Sequence, residues 1–283
     1  MTSSDNAIGI FDSGVGGLTV LRALTRELPG EDTVYYGDTA RVPYGPKSAE
    51  TITRFSLEVL SFLLSCRVKI VVIACNSATS VALSRLREVS SVPVVGVVEP
   101  GVRAAIRCTG NQKVGVIGTE ATISSGSYRL MLKKLSPEIK IFERACPLFV
   151  PLVEEDSGYW IDSPLTRQIV GFYLSGLKRS RIDTLVLGCT HYPLLNQVFS
   201  EVVGPDVHLV DSATEVAKEV RLVLEKTGLL RSGQRIPERK YYVSDQIEKF
   251  CRSGGRFLGQ PVNQVELKRV WEEFKENKRF LRE

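Results

Sequence analysis

The chain has 283 residues, 43% of them hydrophobic, which suffices for one large domain or two of ordinary size with real cores. Its 37 basic and 32 acidic residues are mixed along the chain and leave a net charge of +5, which argues against a nucleic-acid interface and suits a small anionic substrate. Because no run of roughly 18 apolar residues could span a bilayer, and because the first apolar stretch is too short for a signal peptide, we expect a cytoplasmic protein with no membrane partner.

Strands and amphipathic helices alternate along the first third of the chain. Val-rich and Ile-rich strands without polar alternation indicate a parallel sheet covered by helices on both faces. The strands are predicted at residues 8–11, 33–36, 69–74 and 92–98, and the helices at 18–27, at 48–65 and after Asn76.

The same alternation continues in a second unit. Its strands are predicted at residues 114–118, 139–142, 184–187 and 207–210, and its helices at 124–134 and 164–178, and a further helix is predicted beyond it at 212–224. A strand at 240–243 and a helical tail are expected to return to the first domain. We therefore predict an α/β fold of two similar, doubly wound, mostly parallel-sheet domains related by pseudo-symmetry, the first formed by residues 1–98 and 211–283 and the second by 99–210.

Two cysteines occupy matching positions in the two units. Cys75 and Cys189 each follow a buried-looking apolar strand and precede a small polar pair that could open a helix. The context upstream also repeats, because residues 8–13 and 114–119 are both apolar, with glycine second and a hydroxyl at the end. The repeat predicts two related units that close one site between them.

The six cysteines favour free thiols. The chain is long, has no secretion signal and contains no C-x-x-C pair, so neither a disulfide framework nor a metal site is indicated. Most of the thiols are expected to be inert core residues.

Candidate site residues gather where the predicted parallel strands end. Ligands of such sheets bind beyond the carboxyl ends of the strands, where helix N-termini can hold anions. The glycine-rich loop 13–17 fits no nucleotide-binding pattern, since Thr19 stands where the dinucleotide fingerprint requires glycine, so we interpret it as a tight turn that lets substrate approach the backbone. The elements expected at this edge are Asp12-Ser13, Pro43-Tyr44-Gly45, Cys75-Asn76-Ser77 and Cys189-Thr190-His191.

Two thiols facing one site could invert a carbon stereocentre. One thiolate would remove the α-proton from one face while the other thiol supplies a proton to the opposite face. Asp12 could assist Cys75 and His191 could assist Cys189, although a turn or cap role for Asp12 and a structural role for His191 are the alternatives.

Three other classes fit parts of the pattern. A cysteine hydrolase could be built on Cys189 and His191, and a non-catalytic sensor would bind an amino acid or nucleotide without changing it. A pyridoxal phosphate enzyme needs a lysine in a diagnostic setting, and none stands out, so no cofactor is expected.

Five motifs that span most of the chain in order resemble the glutamate racemases of the aspartate/glutamate racemase superfamily; they are residues 11–18, 42–45, 74–79, 147–154 and 188–194. The resemblance implies cofactor-independent interconversion of L-glutamate and D-glutamate, which supplies D-glutamate for peptidoglycan. It also implies two α/β domains with the active site in the cleft between them, and a homodimer. The residues themselves leave aspartate open as the substrate, because one methylene is worth only about 1–3 kcal/mol.

Carried over by position, the resemblance implies that Cys75 acts on the D-enantiomer and Cys189 on the L-enantiomer. Asp12, Glu154 and His191 would be polar assistants. One departure is Ser77, where many relatives carry threonine, and it keeps the hydroxyl. The residues implied to contact substrate are Asp12, Ser13, Tyr44, Gly45, Asn76, Ser77, Thr190 and His191.

Overall fold

The structure is a computed structural model that describes residues 3–155, 158–233 and 235–274. Its strands are β1 (Ile8–Asp12), β2 (Thr33–Gly37), β3 (Ile70–Ile73), β4 (Val94–Gly96), β5 (Lys113–Gly118), β6 (Lys140–Ala145), β7 (Thr184–Gly188), β8 (His208–Asp211), β9 (Arg239–Val243) and β10 (Val265–Leu267). Its α-helices are α1 (Leu18–Glu27), α2 (Ala49–Ser65), α3 (Asn76–Val89), α4 (Val98–Cys108), α5 (Glu120–Ser124), α6 (Ser127–Leu135), α7 (Phe149–Glu154), α8 (Pro164–Arg179), α9 (Asn196–Val203), α10 (Ser212–Lys226), α11 (Ile247–Leu258) and α12 (Val270–Phe274).

The strands form two parallel sheets, which confirms the predicted α/β class. The first sheet has the order β10-β9-β2-β1-β3-β4 and the second has the order β6-β5-β7-β8. The run β2-β1-β3-β4 therefore repeats as β6-β5-β7-β8, and the two cysteines follow equivalent strands, β3 and β7. Every residue of β1, β3 and β7 is buried, as expected where helices cover both faces of a sheet.

The strand expected near residues 240–243 pairs in parallel with β2 and so extends the first sheet. Strands that precede residue 97 or follow residue 238 form the first sheet, and strands from 113 to 211 form the second. The predicted helical tail is described only as α12, and the remainder of that prediction lies outside the described residues. The short strand β10 was not predicted.

Several predicted elements are wrong in their bounds, including the strand predicted at 139–142, which is observed as Lys140–Ala145. The strand predicted at 92–98 ends at Gly96, and α4 begins at Val98, because five consecutive apolar residues give no local signal of the change. The helix predicted at 124–134 is interrupted at Gly126, whose φ of 66° lies in the left-handed region that glycine adopts without strain, so it forms α5 and α6 instead.

Hydrogen bonds join the two sheet units beside the cysteines. These bonds include those from Thr19 Oγ1 to the Thr190 carbonyl (3.2 Å), from Ala121 N to the Gly45 carbonyl (2.8 Å), from Tyr128 Oη to Asn76 Oδ1 (2.7 Å) and between Ser127 Oγ and Ser80 Oγ (2.8 Å).

In the part of the chain that is described, no helix has the length and apolar character needed to cross a membrane.

Candidate active site

The two matching cysteines line one cavity. Cys75 is the N-cap residue of α3, and Cys189 follows β7, where the chain turns into a 3₁₀ helix at Tyr192–Leu195. Their exposed fractions are only 5% and 7%. The cavity has a volume of about 380 Å³, which includes the part open to solvent. Each sheet unit contributes one of the two thiols that line it.

Ten of the eleven predicted site residues line this cavity; they are Ser13, Tyr44, Gly45, Cys75, Asn76, Ser77, Glu154, Cys189, Thr190 and His191. Asp12 does not line it, and its side chain is fully buried. Pro43, which was expected at this edge, also lines the cavity, whereas Val42, Thr119 and Val150 line it without having been singled out from the sequence.

Thr119 could have been found from the internal repeat. It ends the segment that matches residues 8–13, and so it is the counterpart of Ser13. Its hydroxyl lies 2.8 Å from the Ser77 hydroxyl, which joins the second sheet unit to the start of α3. The repeat therefore marks two hydroxyl positions in the cavity, one from each unit.

On the side of Cys189, an imidazole bridges the sulfur and a carboxylate. His191 Nδ1 lies 3.8 Å from the Cys189 sulfur, and His191 Nε2 lies 2.8 Å from Glu154 Oε1. Burial lowers the pKa of His191, but the hydrogen bonds to Cys189 and Glu154, together with their charges, outweigh burial and raise that pKa to about 10. His191 is therefore an imidazolium at neutral pH, and it can stabilise a negative sulfur beside it.

The interactions of Glu154 with His191 favour its charged form. Burial raises the pKa of this carboxyl, and the hydrogen bond and charge of His191 more than offset that effect, so the pKa lies below its ordinary value. The predicted assignment of Glu154 to the site thus coincides with a direct ion pair to His191.

On the side of Cys75, the neighbours are a hydroxyl and a buried carboxyl. The Cys75 sulfur lies 3.6 Å from Ser13 Oγ. Asp12 Oδ2 accepts a hydrogen bond from Gly14 N at 2.9 Å, and Asp12 Oδ1 has no partner among the described residues. Burial, followed by the charge of Asp12, raises the pKa of Cys75 to about 12. Cys75 therefore holds its proton at neutral pH.

The glycine-rich loop makes a close contact with the second sheet unit. A Cβ atom on Gly16 would lie 2.3 Å from Thr190 Oγ1 and 2.5 Å from His191 Nδ1. Our interpretation that the loop lets substrate approach the backbone is wrong at Gly16, because Thr190 and His191 already occupy that space. The glycine instead allows the two units to meet at the His191 imidazole.

The arrangement can hold an amino acid and move a proton. The first amides of α3 have no partners within the helix and favour a carboxylate, and hydroxyls from both units surround the same space. An imidazolium-supported sulfur and a protonated thiol, one from each unit, share the cavity. This is the chemical equipment of proton removal and return at one carbon.

Comparison with known proteins agrees with this geometry. The sequence model of the Asp/Glu/hydantoin racemase family matches residues 8–220. A glutamate racemase of Geobacter metallireducens is 52% identical over 92% of this chain and 95% of its own length.

Solved structures of glutamate racemases share the fold. The Francisella tularensis enzyme in complex with D-glutamate has a TM-score of 0.88 and 35% identity, covering 94% of this chain and 98% of its own. The Thermus thermophilus enzyme in complex with beta-chloro-D-alanine has a TM-score of 0.85 and 45% identity, covering 95% and 99%. Matches over this share of the sequence and the fold establish that the chain belongs to the Asp/Glu/hydantoin racemase family, a family of isomerases.

Proposed function

We propose that this protein interconverts L-glutamate and D-glutamate, without a cofactor, by proton transfer at the α-carbon between Cys75 and Cys189. The observation that carries the proposal is the placement of these two buried thiols, one from each sheet unit, in one cavity. The glutamate specificity is supported by the relatives named above, which are glutamate racemases.

The reaction begins with the different protonation of the two sides. With L-glutamate bound, the Cys189 thiolate takes the α-proton, so that the carbon–hydrogen bond breaks and a sulfur–hydrogen bond forms. The Cys75 thiol then gives its proton to the opposite face of the carbanion, which yields D-glutamate and leaves a thiolate on Cys75. D-glutamate runs the same steps backwards, with Cys75 as the base.

Each thiol has its own assistant. His191 stabilises the charge on Cys189 and is itself held by Glu154. Asp12 lies behind the Cys75 side, where its unpartnered Oδ1 is free to accept a proton. The remaining predicted residues supply hydroxyls, an amide and backbone groups for the substrate carboxylates and ammonium; they are Ser13, Tyr44, Gly45, Asn76, Ser77 and Thr190.

The biological setting follows from the same resemblance. We propose that the enzyme works in the cytoplasm as a homodimer and supplies D-glutamate for peptidoglycan. We also propose the domain division at residues 1–98 with 211–283 and at 99–210, which is supported by the two sets of strands that build the two sheets.

Circular dichroism of purified protein supplied with L-glutamate tests the proposal. The optical signal should decay to zero, and Cys75→Ala and Cys189→Ala should each lose about 10²–10⁴-fold in turnover, because each face of the carbon needs its own acid or base. Cys146→Ala removes a buried thiol outside the cavity and should keep its activity.

Three outcomes would contradict the proposal. A Cys75→Ala variant that retains most of its rate would favour a hydrolase built on Cys189 and His191. Decay with L-aspartate but not with L-glutamate would overturn the substrate. A visible absorption band bleached by borohydride would refute the cofactor-free mechanism.

A further inference from the structure

Helix α11 connects the end of the first sheet with the catalytic imidazole of the second. It lies in the segment between β9 and β10, both of which belong to the first sheet, and it packs against α1. Near its end, the fully buried Phe257 places its ring centroid 5.2 Å from that of His191, with an angle of 77° between the ring planes. The first sheet unit thus contacts the imidazole through an aromatic edge-to-face pair.

The same helix also holds the segment that carries Glu154. Arg256 Nη1 donates a hydrogen bond of 2.8 Å to the carbonyl of Glu155, the residue that follows α7. Lys249, two turns earlier on α11, lines a second cavity together with Glu154, and its positive charge adds to the effect of His191 in favouring the Glu154 carboxylate. One helix therefore contacts both members of the His191–Glu154 pair or their immediate neighbours.

The imidazole is enclosed from two directions. Gly16 meets its Nδ1 and Cε1 edge, and Phe257 packs against the ring. His191 must direct Nδ1 toward the Cys189 sulfur and Nε2 toward Glu154 at the same time, which fixes the ring to one orientation. A smaller side chain at position 257 would leave space for the ring to rotate or shift away from one of its two partners.

We propose that Phe257 is a positioning residue that holds the His191 imidazole between the Cys189 sulfur and the Glu154 carboxylate. Phe257 acts through His191 and lies outside the set of residues that line the thiol cavity. The inference rests on the proposed two-thiol mechanism for its effect on rate, but the orientation of the ring can be measured independently.

Isotope effects on a Phe257→Leu variant test the role in catalysis. Because the two enantiomers have equal free energy, kcat/KM must fall equally in both directions, and we expect a loss of about tenfold. The loss should arise at the Cys189 step alone. The primary isotope effect on kcat/KM with α-deuterated L-glutamate should therefore rise, while that with α-deuterated D-glutamate should fall.

Phe250→Leu is the matched control. Phe250 lies on the same helix, is equally buried and packs against Tyr35 rather than against His191. It should show a similar loss of stability with both isotope effects unchanged. Equal changes in both isotope effects for Phe257→Leu, or the same pattern in the two variants, would overturn the proposal.

Proton NMR of the imidazole separates this inference from the proposed function. The chain has two histidines, so a His208→Gln background leaves His191 as the only imidazole signal. In this background the pKa of about 10 should fall toward the ordinary value of 6.5 when Phe257→Leu loosens both hydrogen bonds. An unchanged titration would refute the positioning role even if racemisation is confirmed, and absence of racemisation would leave this measurement valid. If Phe257→Leu does not fold, Phe257→Met removes the same ring from His191 while keeping an apolar side chain, with the same expected direction and the same refuting result.

Discussion

Substitution of Gly16 by alanine tests how closely the two sheet units must approach at the imidazole. The added Cβ would lie 2.3 Å from Thr190 Oγ1 and 2.5 Å from both His191 Nδ1 and Cε1, whereas real Cβ atoms essentially never come within 3.0 Å of such neighbours. The loop, Thr190 or the His191 ring must therefore move by about 1 Å for the new Cβ atom to reach an ordinary contact distance. Both obstacles are held in place, since Thr190 accepts a hydrogen bond from Thr19 and His191 pairs with Glu154.

The expected losses of turnover and of stability both follow from that displacement. A shift of about 1 Å at a catalytic group costs about 10²-fold in rate, so turnover of L-glutamate in the circular dichroism assay should fall by at least that factor. Overpacking of a close contact should also destabilise the protein by about 1–3 kcal/mol, which thermal unfolding would detect. The rate should fall more than stability alone explains, because the folded fraction stays near one.

Gly171→Ala is the control. Gly171 lies inside α8, and a Cβ there meets nothing within 4 Å, so alanine should raise stability by about 0.5–1 kcal/mol through helix propensity and leave turnover unchanged. If Gly16→Ala keeps its turnover within about threefold, turnover needs neither this position of the His191 ring nor the close approach of the two sheet units at Gly16.

Two further predictions concern charges. The pKa of His191 is raised from 6.5 to about 10, so the stability that its ion pair with Glu154 contributes is fully present below pH 6.5 and is lost as the pH rises through 10. In the folded enzyme His191 keeps its proton until the pH approaches 10, so kcat/KM should fall near pH 10, and Glu154→Gln should move that fall to lower pH. A fall near pH 6.5 in the unmodified enzyme would contradict this assignment. Lys69 and Glu31 form a buried ion pair of 2.5 Å, so Lys69→Met should lower the free energy of unfolding, measured in urea, by about 3 kcal/mol. Adding Glu31→Gln should restore part of that loss, because it removes the buried charge left behind. A Lys69→Met variant as stable as the unmodified protein would show that the pair contributes nothing.

The parts of the site that the sequence could predict are those that follow strand ends. Cys75, Cys189 and their polar neighbours were predictable because apolar runs of four or five residues mark buried strands, and parallel strands bring their carboxyl ends to one edge. Thr119 was visible only as a member of the repeat, since a threonine after a strand is also a common N-cap, the role it has for α5.

Phe257 lies beyond what the sequence can show. An aromatic residue on the apolar face of an amphipathic helix predicts core packing, and nothing in the local pattern says which partner it packs against. The contact with His191 depends on how the segment after β9 returns over the first sheet. Tertiary placement of this kind is set by the whole packing of the two units, so it could not be read from spacing or composition.

The two sides of the cavity differ more than the internal repeat of the sequence suggests, but this difference cannot change the equilibrium between the two enantiomers. Burial and the charge of Asp12 raise the pKa of Cys75 and keep it protonated, against a smaller opposite effect of the Ser13 hydroxyl, whereas Cys189 faces the imidazolium of His191. Since L- and D-glutamate have equal free energy, no asymmetry of the enzyme can shift their ratio at equilibrium. Under the proposed mechanism, the asymmetry decides which enantiomer the resting enzyme is ready to accept, and the proton on Cys75 makes that the L-enantiomer. Turnover of D-glutamate must first move a proton from Cys75, so the two directions should differ in kcat and KM individually while their kcat/KM values stay equal.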